Sequence, residues 1–348
     1  MENALIAMSG GVDSSVAAYL TIKSGYRCMG GTMRLWEGGS DPLSGVRDAQ
    51  AVAEKLQIPF YVLDGTDIFR AQVVEPFIQA YESGLTPNPC IRCNRFLKFG
   101  WLWEQAEKLG CQYVVTGHYA RIVHEPDGTA LLYRAPDPQK DQSYFLAGLT
   151  QQQLRHALFP LGDMNKEQVR QLAQAQGFGN ARKRDSQDIC FIPDGDYKGF
   201  MEQYTGKQYH CGSFLDPQGQ VIGQHCGAVG YTLGQRKGLG IAVGHPVYVC
   251  GKDMSANTVT VGEEALLFSR TLWANDCNFI PFDHLTAPMR VSVRARSRHL
   301  PQPATVYPEE NGIRVEFDSP QRAVTPGQAV VLYDGDLVIG AGTITRAG

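Results

Sequence analysis

Five residues, Ala4-Leu5-Ile6-Ala7-Met8, run straight into Ser9-Gly10-Gly11-Val12-Asp13-Ser14-Ser15, and this junction constrains the fold more than anything else in the chain. The apolar run suits a buried parallel strand, and Val16-Ala17-Ala18-Tyr19-Leu20 continues at helical spacing up to Gly25. Two glycines without Cβ let the backbone curl tightly, so that several N–H groups converge on an anion. Serine hydroxyls add donors, and the positive end of the following helix points at the same spot. A carboxylate in such a place, Asp13, makes sense mainly as a Mg²⁺ ligand beside phosphates. The loop is not of the Walker A type, because no Gly-Lys-Ser/Thr follows. An ordinary Gly-Ser turn before a helix is the plainer alternative.

Up to about residue 120, apolar strand-like segments alternate with helical ones. Arg27–Met33, Phe60–Asp64 and Tyr113–Gly117 read as strands, and Val46–Leu56, Ile68–Glu82 and Arg95–Leu109 as helices. This alternation implies βαβ units and a parallel sheet with ligands at the carboxyl ends of its strands. Gln151 to Gly177 again reads helical. Beyond about Gly206 the chain becomes rich in Gly, Val and Tyr. From about Pro281 it is firmly β, with strands expected over Arg290–Arg298, Ala304–Tyr307, Gly312–Phe317, Ala329–Tyr333 and Val338–Thr345, as in a small barrel. The 348 residues thus divide into 1–205, 206–275 and 276–348.

No stretch reaches the roughly 20 apolar residues of a membrane span, and Met1-Glu2-Asn3 does not begin a signal peptide, so a cytoplasmic protein without a membrane partner is expected. Its nine cysteines then read as thiols before disulfides. A net charge of −3 does not announce a nucleic-acid binder, but a local basic patch would suffice for one.

Thr86-Pro87-Asn88-Pro89-Cys90-Ile91-Arg92-Cys93-Asn94-Arg95 carries a Cys-x-x-Cys pair in a proline-stiffened loop. Asn94 is placed to cap a helix starting at Arg95. Cys93 would then lie at a helix N-terminus beside Arg92 and Arg95, where a thiolate is stabilised. Taken alone, the pair fits a redox dithiol, half a zinc site or iron–sulfur ligands. A further cysteine, Cys190, follows the basic run Arg182-Lys183-Arg184. Arg290, Arg294, Arg296 and Arg298 alternate with no intervening acid, which suits phosphate contacts.

Six blocks in series make a specific resemblance. The glycine loop, Asn88–Asn94, Thr116-Gly117-His118-Tyr119-Ala120, Lys140-Asp141-Gln142-Ser143-Tyr144, Asp185–Phe191 and Tyr231–Leu239 together resemble the bacterial tRNA-specific 2-thiouridylases. The first block is similar to the pyrophosphate loop of enzymes that split ATP to AMP and pyrophosphate. The resemblance implies an α/β fold: a parallel-sheet nucleotide-binding domain of the adenine nucleotide alpha hydrolase kind, a small central domain and a C-terminal β-barrel that contacts tRNA. It places the catalytic cysteines on Cys93 and on Cys190, the persulfide carrier. ATP contacts fall on Ala7, Met8, Ser9, Gly10, Gly11, Val12, Asp13, Ser14, Met33 and Gly117, with Mg²⁺ held through Asp13. Contacts to tRNA fall on Asn88, Pro89, Cys90, His118, Lys140, Asp141, Gln142, Arg296, Ser297 and Gln328.

The implied reaction is ATP-dependent 2-thiolation of the tRNA wobble uridine, with a cysteine desulfurase or sulfur-relay protein as donor. An alternative route for the sulfur is an iron–sulfur cluster on Cys90, Cys93 and Cys190. Some relatives carry Asp where this chain has Cys90, and an aromatic where it has Ser297. The nearest rival activity is another adenylating ligase with the same loop, which needs no paired cysteines. A rival of another class is an RNA-binding protein that kept the fold without the chemistry.

Overall fold

The computed structural model describes residues 1–36, 44–181, 183 and 189–348. Arg182, Arg184 and the Asp185–Asp188 part of the Cys190 motif lie outside the described residues. The first strand, β1 (Asn3–Ala7), is central: Ala4, Leu5 and Ile6 expose no surface. Burial on both faces is what a continuous apolar strand requires, and each large side chain contributes about 2 kcal/mol by leaving water. β1 lies between β2 (Arg27–Arg34) and β4 (Tyr113–Val115), while β3 (Phe60–Asp64) borders β2 and β7 (Ala157–Leu158) borders β4. Each of these pairings is parallel.

β7 departs from the sequence expectation of a helical stretch over Gln151–Gly177. That stretch holds a short helix, Gln151–Arg155, then β7, then a helix over Lys166–Ala175. Thr150 and Asn165 each form a capping box, so each helix has its own start signal, and Pro160 and Gly162 separate them.

A hairpin that the pattern did not reveal, β5 (Ala120–His124) with β6 (Ala130–Arg134), leaves the parallel sheet and joins the barrel through Tyr133 opposite Leu337. The central unit is a four-stranded sheet of β8 (Gly212–Leu215), β9 (Val221–His225), β10 (Tyr248–Asp253) and β11 (Thr258–Gly262). The barrel comprises β12 (Phe268–Phe279), β13 (Met289–Arg294), β14 (Gln302–Glu309), β15 (Gly312–Arg322), β16 (Ala329–Asp334) and β17 (Leu337–Ala347). Its order is β12-β15-β14-β13-β16-β17, and β12 pairs with β17 to close it. Because β12 is one continuous strand from Phe268, the change of unit falls before it rather than at 276.

Candidate functional site

The glycine loop curls as the sequence requires. Gly10 has φ +73°, and a Cβ there would stand 2.4 Å from the Gly45 carbonyl oxygen. Gly11 caps the helix Val12–Lys23, and the Ser14 and Ser15 hydroxyls each donate to its carbonyl at 3.0 Å. The Ser9 N–H donates to Ser14 Oγ at 3.2 Å. Two residues that motif reading missed hold this loop. Asn180 donates from Nδ2 to the Gly10 carbonyl (3.1 Å) and to Ser15 Oγ (2.9 Å). Lys166, in the first turn of its helix, reaches both carboxylate oxygens of Asp13 at 2.8 Å, and the Tyr119 hydroxyl donates to the same carboxylate at 2.8 Å. The capping box at Asn165 and Gln168 was the signal that could have placed Lys166 at a helix start. Met33 lies on β2, half-buried.

Gly117 joins this loop to the rest of the site. A Cβ on Gly117 would fall 2.7 Å from the Asp13 carbonyl carbon and 2.8 Å from the Ser14 nitrogen. The next residue, His118, is buried. Its Nε2 faces Lys98 Nζ at 3.4 Å and its Nδ1 faces Thr116 Oγ1 at 2.6 Å. An ammonium can only donate, so Nε2 accepts and the proton sits on Nδ1. Burial, and then the Lys98 charge, hold the imidazole pKa well below its ordinary value, so the ring is neutral.

The cysteine helix begins earlier than the sequence suggested. It starts at Pro89 with Asn88 as cap, whose Oδ1 accepts from the Cys90 N–H at 3.2 Å, and runs unbroken to Lys108. Proline at the first helical position gives up no needed donor and presets φ, which outweighs Asn94 as a start signal. Asn94 is instead buried, donating to the Phe145 carbonyl at 2.9 Å. From Cys93 to Trp101 the helix is π-helical, and such irregularities concentrate at functional sites.

Cys93 is therefore inside a helix, not at its positive end, and desolvation raises its pKa. Arg92 is turned away, with Nε donating to the Gln72 carbonyl at 2.8 Å, and Arg92 and Arg95 both stack on Phe96. Neither serves the thiol as expected. Cys90 is also raised, mainly by desolvation. Cys190 is pushed up to about 12, by burial first and then by the neighbouring Cys93 and Cys90. Cys90 and Cys190 keep some surface open to solvent, yet protein packs closely enough around each sulfur for desolvation to dominate. Two segments about 100 residues apart thus bring three thiols within electrostatic reach of each other. Among the described residues, the cation that opposes desolvation at each thiol is Lys98.

The residues matched to tRNA contacts divide. Asp141 is a buried hub: it accepts from Arg294 at 3.0 Å, from the Ser143 N–H at 3.1 Å and from the Ala135 N–H at 3.3 Å, and pairs with Arg134 at 3.5 Å. It ties the barrel to the nucleotide domain instead of facing outward. Gln142 accepts from the Tyr119 N–H at 2.9 Å, and Lys140 lies in the same turn. Gln328 donates to the Thr86 carbonyl at 2.9 Å, which presses the barrel against the loop leading to Asn88 and the buried Pro89.

The alternating arginines do not form one wet face. Arg290 pairs with Asp318, Arg294 is buried on Asp141 and donates to the Ser297 carbonyl, and β13 ends at Arg294. Arg296 donates to the Leu233 carbonyl at 2.9 Å and to Thr325 Oγ1, linking barrel and central unit. Arg298 is exposed. Alternation persists in a strand only while the strand lasts, and a buried carboxylate drew one member inward.

Among the described residues no three His, Cys, Asp or Glu side chains are grouped so as to hold a metal ion, and no helix is long and apolar enough to cross a membrane.

Comparison with known proteins gives this geometry its context. Residues 2–194 match the tRNA methyl transferase HUP domain, 198–263 the tRNA methyl transferase PRC-barrel domain and 269–344 the aminomethyltransferase beta-barrel domain. A tRNA-specific 2-thiouridylase MnmA from Clostridium acetobutylicum is 46% identical over 353 residues, covering 99% of both chains. Proteins of the same name from Acetivibrio thermocellus and Clostridioides difficile are 48% and 45% identical, again covering 99% of both chains. Identity at this level over the full length is decisive, and the chain belongs to the tRNA-specific 2-thiouridylase family.

Proposed function

We propose that this protein binds ATP at the loop from Ala7 to Ser14, adenylates the 2-oxygen of the wobble uridine of tRNA and replaces that oxygen with sulfur from a persulfide on Cys190. ATP-dependent tRNA thiolation is the activity of the family to which the chain belongs. The observation that carries the reading is continuity. Asp13 abuts Gly117, the adjacent His118 meets Lys98, and the charge of Lys98 acts on Cys90, Cys93 and Cys190. This continuity supports reading an adenylating loop and sulfur-bearing thiols as one site.

A urea-like carbonyl oxygen is a poor leaving group, and adenylation converts it to AMP. Donors of the glycine loop offset charge on the departing pyrophosphate. Asp13 has the donor chemistry for magnesium and is partly open to solvent beside the loop, but both its oxygens are held by Lys166, so magnesium would have to displace that ammonium. Magnesium, when bound, would neutralise phosphate charge there. The iron–sulfur alternative fits less well, since the three thiols sense one another without converging on a common point.

In the transfer, the terminal sulfur of the Cys190 persulfide bonds to the activated C2, and AMP leaves with the original oxygen. The Cys93 thiolate then attacks Cys190 Sγ and breaks the sulfur–sulfur bond. The sulfur stays on uracil and a Cys93–Cys190 disulfide remains, which a dithiol reductant reopens with two electrons. The base must leave the anticodon stack to reach this site. A cysteine desulfurase or relay protein would load Cys190.

The test is thiolation of a tRNA transcript by metal-free protein supplied with persulfide. Cys93→Ser and Cys190→Ser should each abolish 2-thiouridine while tRNA-dependent pyrophosphate release continues. Thiolation by either variant, or a strict requirement for iron, would overturn the proposal.

A further inference from the structure

The segment that follows the helix Lys166–Ala175 returns to the glycine loop. That helix closes with the Phe178 N–H donating to the Ala173 carbonyl at 2.9 Å, and Phe178 is buried, which fixes the turn carrying Asn180. Asn180 is 7% exposed, and its Nδ2 donates to the Gly10 carbonyl at 3.1 Å and to Ser15 Oγ at 2.9 Å. A carbonyl can only accept, so Nδ2 must be the atom that faces Gly10. Oδ1 is then left buried without a partner among the described residues. An unpaired buried acceptor lowers stability, so the two donors are what this side chain contributes. We propose that Asn180 is a positioning residue for pyrophosphate departure, one that aims backbone N–H groups of the glycine loop at the phosphates.

Peptide geometry supplies the aim. The Gly10–Gly11 peptide bond is trans, so holding the Gly10 carbonyl against Asn180 turns the Gly11 N–H to the opposite side. The Gly11 carbonyl is held as well. Ser15 Oγ, which accepts from Asn180, donates to it at 3.0 Å, and Ser14 Oγ also donates to it at 3.0 Å. This in turn fixes the Val12 N–H, which opens the helix Val12–Lys23 and has no acceptor within it. Successive N–H groups turned away from a buried anchor form a donor pair for an anion. Charge on the phosphates grows as pyrophosphate leaves, so donors held in place beforehand act most strongly in the transition state. Asn180 itself touches no phosphate in this scheme and acts through Gly10 and Ser15.

The inference rests on the glycine loop being the ATP phosphate site. Absence of tRNA-dependent pyrophosphate release by the wild type would overturn that reading, and the inference with it. The experiment measures kcat and KM for ATP in this release by the full-length protein, with thermal melts to confirm folding. Asn180→Ala removes both donors, Asn180→Asp keeps the volume without the amide, and Ser15→Ala removes only the relay to Gly11. Each Asn180 variant should lower kcat by about tenfold, less than the loss of a direct oxyanion donor, and move KM for ATP by less than about twofold. Ser15→Ala should lower kcat by about threefold, and adding it to Asn180→Ala should change kcat by less than about twofold, because the two residues act in one chain. Wild-type kcat in a folded Asn180 variant would overturn the inference, as would a raised KM with kcat unchanged or fully multiplying effects in the double variant. If neither Asn180 variant folds, Ser15→Ala decides, and an unchanged kcat there would overturn it. Loss of release by Asp13→Ala with normal kinetics in Asn180→Asp would uphold the phosphate site and reject Asn180 alone.

Discussion

Lys166 Nζ grips both carboxylate oxygens of Asp13 at 2.8 Å, across 153 residues of sequence. This contact clamps the helix Lys166–Ala175 onto the first turn of the helix Val12–Lys23, and the ion pair is largely shielded from solvent. Lys166→Met should leave Asp13 without its ion-pair partner, held by the Tyr119 hydroxyl, and cost about 1–2 kcal/mol, below the value for a fully buried pair. Asp13→Ala should abolish tRNA-dependent pyrophosphate release while the protein stays folded. Thermal melts together with a pyrophosphate assay check both outcomes, and normal turnover by Asp13→Ala would remove this residue from the phosphate site.

Gly117→Ala offers a sharper probe of the same loop. The added methyl would press on the backbone of Asp13 and Ser14 at under 3 Å, and backbone cannot swing aside as a side chain can. The expected result is loss of at least tenfold in pyrophosphate release, with a shift of the loop instead of global unfolding. Wild-type kinetics in this variant would mean that the loop has room that the contact denies.

Acid should weaken the fold through His118. The ring is held neutral by burial, so its folded pKa lies below the ordinary 6.5. Below pH 6.5 the unfolded chain binds a proton that the folded chain refuses, and stability therefore falls as pH drops. The slope from this one group is up to about 1.4 kcal/mol per pH unit. His118→Gln removes the term, so denaturant melts between pH 7 and 5 should show a shallower loss in the variant than in the wild type. Parallel slopes would show that His118 is solvated in the folded state.

The arginines of the barrel should separate by role. Arg294 is buried on Asp141, and removing it leaves a carboxylate with one cation fewer, so Arg294→Met should destabilise the protein by about 3 kcal/mol. It should leave the salt dependence of tRNA binding unchanged. Exposed Arg298 is the opposite case: Arg298→Ala should spare stability and flatten the slope of log affinity against log salt by roughly one. Binding titrations over a salt series decide the matter, and a flattened slope for Arg294→Met would reverse the assignment.

Local signals sufficed for part of this. Ala4-Leu5-Ile6 followed by the Ser9–Ser15 loop determined a buried strand, a tight turn and a helix, because backbone freedom and apolar periodicity act over neighbouring residues. The order of motifs pointed to the family, and Cys90, Cys93 and Cys190, each singled out by its motif, come within electrostatic reach of one another in the fold. Tertiary structure decided what surrounds them. That Arg92 and Arg95 turn onto Phe96 follows from a helix that starts at Pro89 and turns π-helical at Cys93, which no local pattern announces. Asp141 reads as a loop residue, yet it is buried because Arg134 and Arg294 converge on it from two other segments. Thiol ionisation follows the same logic. Desolvation depends on everything packed around a sulfur, so only the folded chain sets it.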